Sequence, residues 1–280
     1  MLEALCLVCG GPRLEPHLAI LRRCPACGFV TAALDAAIDS RRLYGSGYFS
    51  GEEYLDYRSD EAFFKRCFRS RLAEVLARKP GGTLLEIGAA YGFFLDLAKE
   101  HFRVLGYEVN EEAARYAREK FGVDVRTEDF LACSADDMQG EVDATVMWDV
   151  IEHLERPDLY LARVAKLSRP GALLYITTGD IGSFVARWQG CRWRMIHPPT
   201  HVHYFNRETL SRLLADHGFR VLDIRAVGVA RSVRQVLYSI LVLRMQRPAL
   251  YETCARLVPP TWGFTLNTFD IMQVVAQKHG

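Results

Sequence analysis

Apolar residues recur at helical spacing through Phe64, Phe68, Leu72, Val75 and Leu76 until Lys79-Pro80-Gly81-Gly82 stops the run, which predicts one long helix. From Thr83 the pattern changes to short apolar runs separated by amphipathic stretches. The runs 83–87, 103–108, 123–127, 142–148 and 172–177 read as strands. Between them Phe94, Leu97, Ala98 and His101 form one helical face, and Ala113, Ala117 and Phe121 another. Asn110 reads as an N-cap, with Glu111 and Glu112 at the positive end of that helix. Regular alternation of strand and helix means βαβ units and an α/β, doubly wound, Rossmann-like parallel sheet. After 178 the alternation breaks into a loop rich in Trp, Arg and His. Asn206 then caps a helix carrying Leu210, Leu213 and Leu214 that Gly218 ends, 219–227 reads as a strand, 232–257 as a helical insertion and 271–277 as the last strand.

The start of the chain obeys no such pattern. Cys6-Leu-Val-Cys9 and Cys24-Pro-Ala-Cys27 are two CxxC units fourteen residues apart. Each two-residue gap turns both thiolates of a pair toward one metal, so Cys6, Cys9, Cys24 and Cys27 read as a closed, structural zinc site; disulfides or a redox pair are the alternatives. Gly10 and Gly28 follow the pairs and supply the permissive backbone that the turns need. The chain divides accordingly into a ribbon at 1–40, an aromatic connector and helix at 41–80, and a large domain at 81–280 with an insertion at about 230–262. In the connector Tyr44 and Tyr48 are candidates for a lid.

Candidate chemistry begins where the first strand of the large domain turns into its helix, with Glu86, Gly88, Ala90, Tyr91 and Gly92. Small residues there let a ligand approach the backbone. Glu108 ends the second strand twenty positions beyond Gly88, the distance at which a carboxylate reaches ribose hydroxyls. Tight packing at the turn and a solvated glutamate are the bland alternatives. The pattern E-x-G-x-A-x-G resembles the first motif of class I S-adenosylmethionine-dependent methyltransferases over about residues 83–280, with Ala90 where many members have glycine. Glu108-Val109-Asn110 resembles their second motif, and Asp129-Phe130 falls where members contact and cover adenine. Trp148-Asp149-Val150-Ile151-Glu152-His153-Leu154 resembles their fourth-strand motif. The ribbon, Tyr48-Phe49 and the segment from His197 to Asn206 resemble bacterial small-molecule methyltransferases of sugar and secondary-metabolite pathways. The resemblance implies S-adenosylmethionine as cofactor and a seven-stranded sheet whose last strand is antiparallel and inserted.

Methyl transfer from a sulfonium is an in-line displacement, so the protein positions the acceptor, and an oxygen or carbon acceptor also needs a base or a metal. Asp149, Glu152 and His153 are spaced to share one side of a helical turn beyond the fourth strand. The matching residues of ubiquinone-pathway O-methyltransferases resemble a divalent-metal site, while helix capping and packing are the alternative. His197, His201 and His203 follow, with His201 the candidate general base beside His153. The Arg-flanked apolar stretch from Val233 to Arg244 is expected to pack internally or at a homodimer contact, with weak membrane-surface contact as the alternative.

Composition narrows the rest. Thirty-five Lys plus Arg against thirty-four Asp plus Glu give +1, without the basic excess of a nucleic-acid binder. No secretory leader or spanning segment is expected, and the cytoplasm is the expected compartment. Besides the methyltransferase acting on a small acceptor, two readings remain open: a nicotinamide-dependent oxidoreductase, which wants a different glycine spacing, and an inactive zinc-ribbon binding protein.

Overall fold

The computed structural model describes residues 5–11, 13–18, 20–34, 43, 45, 49, 56–132 and 140–280. In chain order the elements are β1 (Glu15–His17), β2 (Leu21–Arg23), β3 (Val30–Ala32), α1 (Glu61–Arg78), β4 (Gly82–Ile87), α2 (Phe93–Ala98), β5 (Phe102–Tyr107), α3 (Glu111–Phe121) and β6 (Asp124–Arg126). There follow β7 (Val142–Trp148), α4 (Pro157–Leu167), β8 (Ser168–Gly179), α5 (Phe184–Gln189), β9 (His203–Tyr204), α6 (Arg207–Asp216), β10 (Phe219–Ala226) and β11 (Val229–Ser232). The chain ends with α7 (Val233–Tyr238), α8 (Pro248–Leu257), β12 (Gly263–Leu266) and β13 (Ile271–Lys278).

Seven strands form the main sheet in the order β10-β13-β8-β7-β4-β5-β6. Six run in one direction, and β13 is inserted antiparallel between β8 and β10. Period-two alternation sends neighbouring residues to opposite faces. Leu84 packs in one core layer with α1, α2 and α3, and Leu85 in the other with α4 and α6. A parallel sheet covered on both sides needs such apolar strands, and every residue of β4 after Gly82 is buried. Local signals fix the helix ends. Asn110 Oδ1 accepts from Ala113 N at 2.9 Å and Gly122 closes α3 at φ +66°. Asn206 and Thr209 form a reciprocal capping box on α6.

Two features differ from the pattern read along the chain. The fifth parallel strand begins at Ser168, earlier than the apolar run, because Ser168 already pairs with Val142 and residues 169–172 bulge out before Leu173 resumes the pairing with Ala144. The ribbon does not stand apart: β3 continues into β9 from the far end of the chain, pairing Val30 with Tyr204 and Thr31 with His203. Cys6, Val8, Cys24 and Phe29 share a core layer with Ile151 and Phe205. No helix among the described residues is long and apolar enough to cross a membrane.

Candidate active site

Beyond the carboxyl ends of the parallel strands lies a cavity of about 540 Å³. At one end the turn after β4 presents Gly88 and Ala90 to it, in left-handed conformations at φ +73° and +46°. A Cβ on Gly88 would come within 2.5 Å of Val150 Cγ2, so only glycine lets this turn pass under the next strand's loop. Glu108 is held rigidly: Oε2 accepts from Ala90 N and Oε1 from Asn110 N, both at 2.8 Å. Burial raises its pKa, and the backbone donors Asn110, Ala90 and Val109 only partly offset that. Val109, Phe130 and Trp148 also line the cavity; Phe130 meets Tyr107 edge-on with centroids 5.0 Å apart.

Five residues singled out in the motifs are not among those lining it. Glu86 is buried inside β4, its carboxyl pushed well above the usual range by burial and then by Glu108. Gly92 caps α2 where a Cβ would lie 2.6 Å from that of Ala117, which makes it a packing glycine. Tyr91 is packed among Phe49, Tyr57 and Tyr116. Asn110 caps α3, and Asp129 holds a turn by accepting from Leu131 N.

The other end assembles from distant segments. Asp149, at φ +56°, leaves β7 in the left-handed region, with its N–H donating to Thr177. The residues after it make one turn, closed by His153 N to Val150 O, and helix resumes only at Pro157. Glu152 and His153 are thereby brought together with His201, their ligand-type atoms all within 4.8 Å of one another; Asp149 lines the cavity outside that cluster. The loop carrying His201 is anchored where Trp193 Nε1 and Arg194 donate to the buried Asp270 carboxylate at 2.8 and 2.7 Å. It is also sewn to the turn by Val202 N and His203 N, both donating to Glu152 O.

These contacts fix the proton positions. His153 Nδ1 donates to Thr200 O and His201 Nδ1 to Met195 O, which leaves Nε2 as the basic nitrogen of these two neutral rings, and His197 Nδ1 lies 2.6 Å from Thr200 Oγ1. Burial lowers His153 to about 4 and His201 well below its ordinary value. Glu152 is 2 % exposed and pushed up to about 8, by burial and then by Asp149. Thr178 lies close enough to ease that, but among the described residues neither Glu152 oxygen nor the Thr178 hydroxyl has a partner in hydrogen-bonding geometry. His203 turns the other way, with Nε2 donating to Glu155 O and Nδ1 3.0 Å from Thr31 Oγ1.

The motifs did not point to the cavity's third wall. It comes from α1, with Phe64, Phe68 and Arg71, and from the insertion, with Val236, Ile240 and Leu243. The apolar stripe of the insertion thus faces the cavity in part, while Leu250, Leu257 and Trp262 beyond it are exposed. Arg71 carried a signal, since it falls in register with the apolar face of α1, and the apolar stripe of the insertion signalled burial without saying against what. Phe49 lines the cavity, whereas Tyr44 and Tyr48 lie outside the described residues.

Residues 57–224, more than half of the chain, match the family described as a methyltransferase domain. The chain belongs to this family. A probable S-adenosylmethionine-dependent methyltransferase of Mycolicibacterium smegmatis is 26% identical over 204 residues, covering 71% of this chain and 77% of that protein. A ubiquinone biosynthesis O-methyltransferase of Caulobacter vibrioides is 33% identical over 164 residues, 50% of this chain and 60% of that protein. A solved methyltransferase from Archaeoglobus fulgidus has the same fold, with TM-score 0.54 at 21% identity over 79% of this chain and 99% of its own. The protein is therefore an S-adenosylmethionine-dependent methyltransferase, which decides against the nicotinamide reading.

The cysteine cluster of this methyltransferase is closed. Cys6 Sγ is 3.5 Å from Cys27 Sγ, and Cys9 Sγ 3.5 Å from Cys24 Sγ. All four sulfurs lie within 4.8 Å of one another, and none of the described cysteines is in a disulfide. A tetrahedral ion with bonds of about 2.3 Å sets its sulfurs about 3.8 Å apart, so the cage fits zinc. Gly10 N and Gly28 N donate back to Cys6 O and Cys24 O at 2.8 and 2.9 Å, from glycines at φ +67° and +78° that close the two turns.

Proposed function

We propose that this methyltransferase methylates an oxygen or carbon of a small-molecule acceptor from the sugar or secondary-metabolite classes, with the acceptor's reacting atom beside Glu152, His153 and His201. The observation that carries the reading is this cluster: Glu152 and His201 buried, His153 half-buried, both rings neutral with Nε2 as the basic nitrogen, at the wall of the cavity whose other end holds the glycine turn and Glu108. The apolar wall of Phe64, Phe68, Val236 and Ile240 favours an acceptor with an aromatic or aliphatic body over a bare sugar. The names of the ubiquinone-pathway relatives agree with small-molecule O-methylation.

Bound cofactor supplies an electrophilic methyl group. Glu108 would accept from its ribose hydroxyls, Val109 and Phe130 would hold its adenine, and Gly88 and Ala90 would let it approach the backbone, with no side chain larger than a methyl group in the way. Trp148 and Asp149 line the cavity between its two ends, where they would exclude water while donor and acceptor align. His201 Nε2 takes the acceptor proton, and the Met195 carbonyl holds its tautomer and steadies the imidazolium that forms. His153, edge-on to His201 with centroids 4.5 Å apart, fixes the direction of approach.

A second reading rests on the close ligand atoms of Glu152, His153 and His201 and on the two unpartnered Glu152 oxygens. One carboxylate and two imidazoles suit a divalent cation that would lower the acceptor's pKa. The four cysteines, on this proposal, hold a structural zinc. The deciding experiment is transfer of isotope-labelled methyl from S-adenosylmethionine to a panel of phenols, sugars and 1,3-dicarbonyl compounds, with and without EDTA. Methylation unaffected by EDTA supports His201 as base, EDTA-sensitive methylation restored by magnesium supports the cation, and no transfer to any member defeats the acceptor assignment.

A further inference from the structure

The insertion leaves the body of the protein as two paired strands, β11 and β12, and carries beyond them α7, a π-helical stretch (Ser239–Arg244) and α8. Its stem is fixed to the start of α1: Ser232 Oγ donates to Asp60 Oδ2 at 3.0 Å, and Gly263 passes Phe63 with no room for a side chain. Its far part is covered by little but itself. Tyr251 meets Tyr238 edge-on with centroids 5.6 Å apart, yet α8 has no buried residue, although Ala, Leu, Tyr and Cys make up most of it. Leu250 and Leu257, seven positions apart on one face of that helix, stand in water, Leu257 at 81 % exposed. Every residue from Leu243 to Leu250 is exposed as well.

Charge decides what this hairpin meets. Between residues 231 and 266 five arginines stand against one carboxylate, Glu252, a net +4 in a chain whose total is +1. Arg244, Arg247 and Arg256 are exposed, and their side chains have no hydrogen bond or ion pair among the described residues. Two copies meeting symmetrically here would face each other with the same positive excess, which disfavours a second copy as occupant. Leucine beside unpaired arginine matches instead the boundary of an anionic bilayer, where phosphates take the guanidinium groups and the acyl region takes the apolar side chains. We propose that the hairpin of α7 and α8 docks on an anionic lipid surface, lying in it without crossing it. Docked so, it sets the cavity against the lipid: Ile240 and Leu243 line the cavity and are also exposed, joining its apolar wall to the outer surface. An acceptor with a hydrocarbon body then passes from the bilayer toward the histidine end without entering bulk water. That route rests on the acceptor reading proposed above; the docking does not.

The test is flotation of the full-length protein with vesicles of phosphatidylcholine alone and of phosphatidylcholine with an equal part of phosphatidylglycerol. The parent should float with the anionic vesicles and stay behind with the neutral ones, and added salt should weaken the binding. Arg244→Glu with Arg247→Glu should weaken it about 10- to 100-fold, because two charges facing the lipid are reversed, and Leu250→Ser with Leu257→Ser by about as much. None of these four residues is buried or lines the cavity, so melting temperature and S-adenosylhomocysteine affinity should stay near the parent's. Absence of flotation with anionic vesicles, or equal flotation with neutral ones, overturns the inference. So does flotation that both paired variants retain, which would place the contact on another surface. Loss on charge reversal alone, with the leucine variant floating as the parent does, also overturns it, because adsorption by charge is what an acidic protein would equally receive. A parent dimer that does not float and that the leucine variant dissolves assigns the face to a second copy instead. Vesicle binding is read without turnover, so a failed acceptor panel leaves the docking standing, and failed flotation leaves the acceptor reading standing.

Discussion

At the glycine-turn end of the cavity, Gly88, Ala90, Glu108 and Val109 come from two adjacent parallel strands and the residues that follow them, hydrogen-bonded to each other directly. At the histidine end, Glu152 and His153 come from a single turn after β7. His201 comes from a loop held by Trp193 to Asp270 and continued into the ribbon by β9. The first end is a short-range construction that the sheet alone supports. The second depends on three separate regions of the chain closing on one another, so it should be the more easily disturbed.

If the ribbon holds zinc, its loss should separate the two ends most widely. A zinc on four thiolates contributes about 10 kcal/mol or more to the fold that holds it. The paired change Cys24→Ser with Cys27→Ser should abolish the bound zinc seen by elemental analysis and loosen β3 and with it Thr31, Val202 and His203. Turnover should fall while S-adenosylhomocysteine affinity holds. Equal loss of both would mean that the ribbon supports the whole sheet, and full retention of zinc would remove the ribbon from the account.

Within the histidine end, His201→Ala or His153→Ala should lower turnover by about 10²- to 10⁴-fold if the ring moves the acceptor proton or fixes its path. Cofactor affinity should change little, as isothermal calorimetry can check. Near-normal turnover with a lowered melting temperature in both variants would make the two rings structural and leave catalysis to proximity alone.

At the other end, Glu108→Ala should weaken S-adenosylhomocysteine by about 1 to 3 kcal/mol, the range for charged hydrogen bonds, with little effect on turnover at saturating cofactor. Unaltered affinity in calorimetry would contradict its ribose role. The smallest effect expected is at Ala90. Its left-handed backbone costs an L-residue about 1 to 2 kcal/mol, and the entropy of glycine offsets about 0.5 to 1 of that, so Ala90→Gly should raise stability by no more than about 1.5 kcal/mol. A lowered melting temperature would show that the methyl group packs against something the turn requires.

The same contrast explains what could be read beforehand. The strand runs, the caps at Asn110 and Asn206 and the glycines at 88 and 92 are local in sequence, so periodicity and turn chemistry expose them. Asp149, Glu152 and His153 looked like one face of a helix, yet the turn is single and Asp149 leaves it, because the chain must pass over Gly88 through Val150. His197, His201 and His203 looked alike in a proline-broken loop, and only their partners separate His201, facing the cavity, from His203, facing Thr31.

The sequence by itself determined the doubly wound sheet, the four-cysteine cage and the turn that meets Glu108, because each is encoded by residues a few positions apart or by a strand-to-helix repeat. Only the tertiary structure decided that β9 completes the ribbon, that His201 joins Glu152 and His153, and that Arg71 enters the cavity without a counter-ion among the described residues. Those contacts join segments far apart in the chain, and they form where side chains from separate elements compete for the same buried space, which no local pattern records.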